Sequence, residues 1–231
     1  MSLRVALWSS PRTVSTALMR SFAERSDTVC VDEPFYAHYL RHSGRQHPMR
    51  EEVLAEGDPD LASLDAPVVF EKHMAHHLVG GRTLAEMGDF FAARVQALLI
   101  RNPREMLPSM LRDLKRIEPS DLGYDTQVQI LRYCDNAIVI DSRDLLENPE
   151  GILSAFCERL GIPFEQSMLS WEAGRHSSFG VWAPFWYRNV EASTGFLPWA
   201  PKEEPFPTEL NELLSWALPL YEELCSARLV A

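Results

Sequence analysis

Short apolar runs alternate with amphipathic stretches along most of the chain. The apolar runs are typical of buried β-strands and predict strands at residues 3–8, 28–31, 67–71, 95–100 and 137–140. A helical period of apolar positions predicts helices at residues 14–26, 83–93, 105–115, 126–133, 149–160 and 208–226. The helix at 149–160 has the clearest boundaries, with Asn148 as its N-cap and Gly161 as its stop. Strands that alternate with helices form βαβ units, so the pattern predicts an α/β fold with a mostly parallel, five-stranded sheet flanked by helices.

Two segments depart from this alternation. Residues 35–66 contain no clear strand and are expected to form a helical excursion over the sheet. Residues 171–207 are rich in Trp, Phe, Pro and Ser with little periodicity, which is typical of a lid or a binding loop. Because 231 residues with 46% apolar content can bury one sizeable core, we expect a single domain over residues 1–231 with an aromatic lid at about 171–207.

The overall charge limits the partners that the chain can have. Its 22 basic and 33 acidic residues give a net charge of −11, which argues against nucleic acid and an anionic membrane surface. An anionic small molecule stays an acceptable ligand, because a few arginines focused in a cleft are enough to bind it. No apolar run approaches the roughly 20 residues of a membrane span, and the run at the start is too short for a secretory signal. We therefore expect a cytoplasmic location and no membrane partner.

The four cysteines add no evidence for a metal. They lie far apart in the chain, and no CxxC or Cys/His metal spacing appears. The three histidines His73, His76 and His77 leave a metal open as an alternative, which the lack of a nearby cysteine and of an HExxH pattern disfavours. We therefore expect buried, reduced thiols and no bound metal.

The first candidate site is the polar turn between the first strand and the first helix. Hydroxyl and basic side chains crowd this turn and the start of the helix, namely Ser9, Ser10, Arg12, Thr13, Ser15 and Thr16. The first turn of a helix presents unpaired N–H groups and a partial positive charge, so a phosphate or sulfate group fits there. The alternative is that Thr13 or Ser15 only caps the helix and Arg12 is solvated. The turn lacks the glycines and the lysine of a Walker A motif, which disfavours nucleotide hydrolysis at a Mg²⁺ site.

A second candidate anion site follows the fourth predicted strand. That strand ends at Arg101, the chain turns through Asn102 and Pro103, and the next helix carries Ser109. In an open α/β sheet, ligands bind outside the carboxyl ends of the strands. A guanidinium there can bind two oxygens of a phosphate, and a serine hydroxyl can donate a further hydrogen bond.

Together these segments resemble the sulfotransferase family, which uses 3′-phosphoadenosine 5′-phosphosulfate (PAPS), and in particular its short bacterial members of unassigned acceptor. SSPRTVSTAL is similar to the loop that binds the 5′-phosphosulfate, and RNPREMLPS is similar to the segment that binds the 3′-phosphate. A third stretch, IDSRDLLENPEGILSAFCERLGIPF, resembles the family's strand–helix segment that ends in a Leu-Gly-Ile-Pro turn. The resemblance implies a P-loop-NTPase-like three-layer sandwich. It also implies a cofactor site made of Ser10, Arg12, Thr13, Val14, Ser15, Thr16, Arg101 and Ser109.

The chain departs from the family pattern at two places. Val14 stands where many members have glycine, which predicts a different backbone path for this loop. The family's C-terminal Arg-Lys-Gly loop has no clean counterpart, and residues 174–178 or Arg188 are candidates to replace it.

Sulfuryl transfer needs a cation at the donor's bridging oxygen and a base near the acceptor. Lys72 and His73 follow the third predicted strand, and the resemblance implies that Lys72 stabilises the leaving oxygen and that His73 or His76 is the base. Glu33 is a second candidate base, because similar Glu-Pro pairs occur in some family members. Pro34 favours an extended conformation at Glu33. The alternatives are a solvated Lys72, locally packed histidines and a solvent-exposed Glu33.

The leading hypothesis is a PAPS-dependent sulfotransferase that acts on a hydroxyl or amine of a small molecule and releases adenosine 3′,5′-bisphosphate. A P-loop-type, nucleotide-dependent kinase and a non-catalytic nucleotide-binding member stay open as alternatives. The aromatic segment at 179–189 is expected to pack as a lid or to cover the adenine or the acceptor. The acceptor's identity is open, and a homodimer is one open form of assembly.

Overall fold

The computed structural model describes residues 2–114, 116–202 and 204–231. It contains one five-stranded sheet, whose strands are β1 (Leu3–Ser9), β2 (Thr28–Asp32), β3 (Val68–Met74), β4 (Val95–Ile100) and β5 (Ile138–Asp141). All neighbouring strands pair in parallel, in the order β2-β3-β1-β4-β5. The five predicted strands and the α/β class are confirmed. One difference affects the site, because β3 continues through Lys72 and His73 instead of ending before them.

Helices connect the strands and cover both faces of the sheet. They are α1 (Ser15–Phe22), α2 (Tyr36–Ser43), α3 (Arg50–Glu56), α4 (Gly88–Ala92), α5 (Pro103–Leu111), α6 (Pro119–Leu122), α7 (Tyr124–Tyr133), α8 (Ser142–Glu147), α9 (Pro149–Leu160), α10 (Ala183–Trp186), α11 (Arg188–Glu191) and α12 (Asn211–Ser226). Helices α2 and α3 confirm the helical excursion predicted for residues 35–66.

The local signals explain where the predicted helix ends were right and where they were wrong. Helix α9 has the predicted bounds, because the Asn148 side chain accepts a hydrogen bond from the Gly151 N–H and Gly161 takes the left-handed conformation (φ 72°). The helix predicted at 105–115 begins earlier, since Asn102 caps it and Pro103 occupies its first position. The last residue of that predicted helix, Lys115, lies outside the described residues.

Two other predicted helices are shorter than the apolar pattern suggested. Helix α1 ends at Phe22, after which the chain winds through tighter turns that include a hydrogen bond from the Arg25 N–H to the Phe22 carbonyl. The helix predicted at 83–93 covers only Gly88–Ala92. In the turn before it, the Thr83 hydroxyl donates to Glu86 at 2.7 Å, a local bond that competes with helical pairing.

The core lies on both faces of the sheet, as alternation along the strands requires. One cluster contains Leu7 and packs against α1 and α9, and the other contains Trp8 and packs against α5, α7 and α12. The rings of Phe22 and Phe70 stack at 4.1 Å between centroids in the first cluster. Fully burying a side chain of this size stabilises the fold by about 1.5–3 kcal/mol. The three-layer sandwich predicted from the resemblance is therefore present.

The carboxyl ends of the five parallel strands meet at one edge of the sheet, which is where the predicted site residues lie. The described residues of the segment 171–207 run across this edge with little regular structure apart from α10 and α11. No helix in the described ranges has the length and apolar character needed to cross a membrane.

Candidate functional site

A cavity of about 450 Å³ opens at the carboxyl edge of the sheet. Its walls come from the β1–α1 turn, the ends of β2 and β3, helix α5 and the segment 186–200. Nine predicted site residues line it, namely Arg12, Thr13, Val14, Ser15, Thr16, Glu33, Lys72, Arg101 and Ser109. The other two, Ser10 and His73, do not. A single cavity therefore joins both predicted anion sites to the predicted chemical groups.

The start of α1, the first candidate anion site, has no side-chain cap. Val14 is the residue before the helix, and no side chain there accepts a hydrogen bond from the first turn. The Thr13 hydroxyl donates instead to the Ser10 carbonyl at 2.8 Å, within the turn. The capping alternative is therefore absent, and the first N–H groups of α1 are free to face an anion.

The backbone at Val14 is strained. Its φ of 60° and ψ of 21° lie in the left-handed region, which favours glycine and is costly for a β-branched residue. The valine therefore adopts a conformation that suits glycine, and the different backbone path expected from the substitution stays a prediction.

Ser10 supports the turn from below. It is fully buried, and its hydroxyl donates to the Gln127 side-chain carbonyl at 3.2 Å. The Gln127 amide in turn donates to the carbonyls of Trp8 and Leu99 at 3.0 and 3.1 Å. Ser10 thus fixes the turn to α7 rather than facing the cavity.

Arg101 links the two predicted anion sites. One of its guanidinium nitrogens donates to the Arg12 carbonyl at 2.9 Å, and its Nε donates to Glu105 at 3.2 Å. Arg12 forms an ion pair with Asp113 on the far side of the cavity mouth. Ser109 lies on the same wall, where its hydroxyl accepts a weak hydrogen bond from Arg112. Two guanidinium groups and a hydroxyl thus surround one end of the cavity.

At the ends of β2 and β3, a buried lysine stands between two carboxylates. The Lys72 ammonium donates to Asp32 at 2.9 Å, to Glu33 at 2.7 Å and to the Tyr187 hydroxyl at 2.6 Å. Only 1% of Lys72 is exposed. Burial works to lower the pKa of Lys72, but the carboxylates of Asp32 and Glu33 outweigh burial and raise that pKa above its ordinary value. Lys72 is therefore a charged ammonium at neutral pH, and the solvated alternative is excluded.

Glu33 presents one carboxylate oxygen to the cavity. Its Oε1 accepts a hydrogen bond from Lys72 and lies 3.1 Å from the Tyr187 hydroxyl, whereas no described residue donates to its Oε2. Burial raises the pKa of Glu33, Lys72 pulls it down, Asp32 pushes it up, and the balance is a raised pKa. A carboxylate with a raised pKa and a free oxygen is suited to accept a proton.

The expected extended conformation at Glu33 is wrong. Its φ is 41°, in the left-handed region, although Pro34 follows. The Glu33 N–H donates to the Lys72 carbonyl at 2.8 Å, and its own carbonyl accepts from the Tyr36 N–H at 2.9 Å. The first bond closes the pairing of β2 with β3, and the second forms the turn that leads into α2. Together they outweigh the extended conformation that Pro34 favours at Glu33. Such strain is commonly retained at functional sites.

His73 faces the opposite side of the sheet from Lys72, because neighbours along a strand alternate. It is 1% exposed and stacks on Trp8 at 4.3 Å between ring centroids, and its Nε2 lies 3.1 Å from Glu71. Burial lowers the pKa of His73. The structure places this predicted base in the packed core, away from Glu33 and the cavity.

The other histidines near the site form an uncharged aromatic wall of the cavity. His77 lies between the rings of Tyr36 and Tyr39, at 5.1 and 4.6 Å between centroids. Burial and the neighbouring His76 hold the pKa of His77 well below its usual range, and burial lowers the pKa of His76 to about 3. Among the residues that the structure covers, no group of three or more His, Cys, Asp or Glu side chains is placed to hold a metal.

The aromatic segment divides between core and cavity. Phe179, Trp182 and Tyr187 are packed into the main hydrophobic cluster, whereas Trp186 lines the cavity beside Tyr187. Tyr187 belongs to both groups. Neither candidate for the missing C-terminal loop, Arg175 or Arg188, lies among the described residues that line the cavity.

Several residues that complete the site have little signal in the sequence. Asp32, which was not among the predicted site residues, binds Lys72 directly. Tyr187 was one aromatic among many, and only the fold brings it to the strand ends. The stretch from Gly195 to Ala200 also lines the cavity, and the indole of Trp199 lies 3.2 Å from Glu105. The one signal in the sequence was the pair of adjacent acidic residues, Asp32 and Glu33, at the end of β2.

Sequence comparison relates the chain to one family. The family model described as a sulfotransferase domain matches residues 3–228. A curated relative from Arabidopsis thaliana, branched-chain-amino-acid aminotransferase-like protein 1, is 37% identical over 235 residues. The match covers 95% of this chain but 41% of the relative, so the chain spans about two fifths of that protein's length.

Structural comparison finds the same fold in solved sulfotransferases. The sulfotransferase domain of the Synechococcus PCC 7002 olefin synthase aligns with a TM-score of 0.62 and 14% identity, over 93% of this chain and 94% of that one. A sulfotransferase from Alicyclobacillus acidocaldarius aligns with a TM-score of 0.58 and 16% identity, over 99% and 98% of the two chains. At these identities the likeness shows the fold alone. The single-domain division, the homodimer and the cytoplasmic location stay predictions.

Proposed function

The chain belongs to the sulfotransferase family, and we propose that it transfers a sulfuryl group from PAPS to a hydroxyl or amine of a small molecule. The observation that carries this proposal is the single cavity, which joins two anion sites to a buried lysine and a carboxylate with one free oxygen. In the Walker-type kinase alternative, the phosphate-binding lysine belongs to the β1–α1 turn, which here carries Arg12 instead.

The two anion sites fit the two charged ends of the donor. The uncapped start of α1, with Ser15 and Thr16, is suited to the 5′-phosphosulfate. Arg101 and Ser109 stand on the neighbouring wall and are suited to the 3′-phosphate. Because Arg101 also holds the Arg12 carbonyl, occupation of one site is expected to order the other.

The chemistry of transfer assigns separate roles to Glu33 and Lys72. Glu33 Oε2 accepts the proton of the acceptor hydroxyl while the acceptor oxygen forms a bond to sulfur. The bond between sulfur and the bridging oxygen of the donor breaks, and its electron pair stays on the phosphate of adenosine 3′,5′-bisphosphate. Lys72 stabilises the charge that develops there. The uncharged rings of Tyr36, Tyr39 and His77 support a small acceptor that enters beside Glu33.

Ligand-dependent melting tests the donor. Adenosine 3′,5′-bisphosphate at 100 times its Kd should stabilise the protein by about 2.7 kcal/mol, and 5′-AMP at the same concentration should have much less effect. Incubation with ³⁵S-labelled PAPS and a panel of phenols, alcohols and amines should then yield a labelled product. An equal melting response to ATP with Mg²⁺ would favour the kinase alternative. No response to adenosine 3′,5′-bisphosphate would overturn the proposed donor.

A further inference from the structure

All three N–H groups of the Lys72 ammonium are already engaged. They donate to Asp32, Glu33 and Tyr187 at 2.9, 2.7 and 2.6 Å. An ammonium has three donors, so a lysine in this state has none left for a further partner. Lys72 can therefore stabilise a new charge in the cavity only by giving up one of these hydrogen bonds.

Two of the three partners are fixed in the core. The Tyr187 hydroxyl accepts from Lys72 and, at 2.9 Å, from the Trp182 indole, and it donates to Asp32 at 2.8 Å. One donor and two acceptor positions are the full capacity of a hydroxyl. Asp32 also accepts from the Gly180 N–H at 3.1 Å. The side chains of Lys72 and Asp32 are 1% and 2% exposed, respectively, whereas Glu33 is 11% exposed and keeps one oxygen free.

We infer that Tyr187 and Asp32 are positioning residues for sulfuryl transfer, which hold two N–H groups of Lys72 so that only the N–H shared with Glu33 turns toward the leaving oxygen. This inference rests on the proposed function and concerns the same site. It gives the segment 171–207 a part in the reaction, because Tyr187, Trp182 and Gly180 all belong to that segment.

The exchange of that hydrogen bond follows from the charges. Before transfer, the ionised Glu33 carboxylate holds the third N–H of Lys72. As Glu33 Oε2 takes the acceptor's proton, its carboxyl becomes neutral and its attraction for the ammonium falls. At the same time, negative charge grows on the phosphate oxygen that sulfur leaves. The third N–H of Lys72 then moves from the neutral Glu33 carboxyl to the phosphate oxygen, while Asp32 and Tyr187 keep the nitrogen in place.

Substitution of Tyr187 tests the inference with the smallest change available. Tyr187→Phe removes one hydroxyl and keeps the ring in its cluster, and Tyr133→Phe at a tyrosine that is 53% exposed is the matched control. Hydrogen bonds to charged groups contribute about 1.5–3 kcal/mol, so we expect kcat to fall about 10- to 100-fold. The KM for PAPS and the Kd for adenosine 3′,5′-bisphosphate should change less than about threefold, because no anion site is touched. The control should retain wild-type values.

Asp32→Asn adds a readout that a purely structural role would not move. Asp32 raises the pKa of Glu33 by repulsion, so the acid limb of the kcat profile should shift to lower pH in this variant. Tyr187→Phe should lower kcat without a shift of the acid limb to lower pH, because contact with Tyr187 lowers rather than raises the pKa of Glu33.

Three results would overturn the inference. They are an unchanged kcat in Tyr187→Phe, an equal loss of kcat and of donor affinity, and an acid limb that Asp32→Asn leaves in place. If the wild-type protein transfers no sulfuryl group to any acceptor, the proposed function fails and the inference fails with it. Transfer by the wild type together with an unaffected Tyr187→Phe overturns the inference alone.

Discussion

Neighbouring residues on one strand have different surroundings in this site, and that difference decides which of them can react. Lys72 points into the cavity between two carboxylates, whereas His73 points into the core and stacks on Trp8. The sequence predicted both as site residues, because the predicted third strand ends before them. Once the strand continues through them, alternation permits only one to reach the cavity. Glu33 is then the candidate base that contacts Lys72.

Exchange of Glu33 for glutamine separates the two candidate bases. Glu33→Gln keeps the shape but removes the proton acceptor, so kcat should fall about 10²- to 10⁴-fold with donor affinity retained. His73→Gln should lower the stability of the fold and leave kcat of the folded protein within about threefold of wild type. Initial rates with PAPS and unfolding in urea measure the two effects, and Glu172→Gln at an exposed site is the control. A larger loss of kcat in His73→Gln than in Glu33→Gln would reverse the assignment.

The strain at Val14 gives a prediction about stability. Alanine at this position loses the valine's packing and keeps a side chain at φ 60°, whereas glycine loses the same packing but adopts that φ freely. We therefore expect Val14→Gly to be more stable than Val14→Ala by about 1 kcal/mol. Urea unfolding of both variants and the wild type checks the order. If the alanine variant is the more stable, the turn is not strained at Val14.

At the scale of elements, local sequence patterns predicted the strands of the sheet but not the backbone conformations that depend on tertiary hydrogen bonds. The five strands were predictable because each is an apolar run long enough to be buried. The boundary of α9 was predictable because Asn148 and Gly161 are local signals. The left-handed Glu33 was not, since its conformation follows from bonds to Lys72 and Tyr36 that Pro34 alone does not indicate. The open start of α1 likewise depends on Thr13 bonding to Ser10 instead of capping the helix.

The segment between β4 and α5 should bind the 3′-phosphate of the donor. Arg101→Ala removes a guanidinium from the cavity wall and should weaken binding of adenosine 3′,5′-bisphosphate by about 10- to 100-fold, the contribution of a charge-assisted hydrogen bond. Binding of 5′-AMP, which lacks the 3′-phosphate, should weaken far less. Calorimetric titration measures both, and Arg104→Ala in helix α5, which follows Arg101, is the control because Arg104 lies outside this cavity. Equal losses for the two nucleotides would place the 3′-phosphate elsewhere.

At the scale of the whole molecule, the site depends on contacts between distant parts of the chain. The Tyr187 hydroxyl forms hydrogen bonds with Lys72, which lies 115 positions earlier in the chain, and with Asp32, which lies 155 positions earlier. No periodicity or motif in residues 171–207 predicts these bonds, because they follow from how the segment crosses the sheet edge. The sequence identified most of the candidate residues that line the cavity, and the fold was needed to show which groups hold them in place.

The buried histidine wall makes the stability of the whole fold depend on pH. His77 is 1% exposed, and burial together with the nearby His76 holds its pKa well below the ordinary value. The unfolded chain takes up a proton at His77 below about pH 6.5, whereas the folded chain does not. The unfolded state is therefore stabilised relative to the folded state as the pH falls from 7.5 to 5.0. For one such histidine this costs the fold about 2 kcal/mol at pH 5.0.

Replacement of His77 by phenylalanine isolates that contribution from the carboxylates that also titrate. His77→Phe keeps an aromatic ring between Tyr36 and Tyr39 and removes the titrating group. Its loss of unfolding free energy between pH 7.5 and 5.0 should be about 2 kcal/mol smaller than that of the wild type. His42→Gln, at an exposed histidine, should lose as much as the wild type. Urea unfolding at the two pH values measures the difference. Equal pH dependence in His77→Phe and wild type would mean that His77 is protonated in the folded protein, which would put a positive charge in the cavity wall and favour an anionic acceptor.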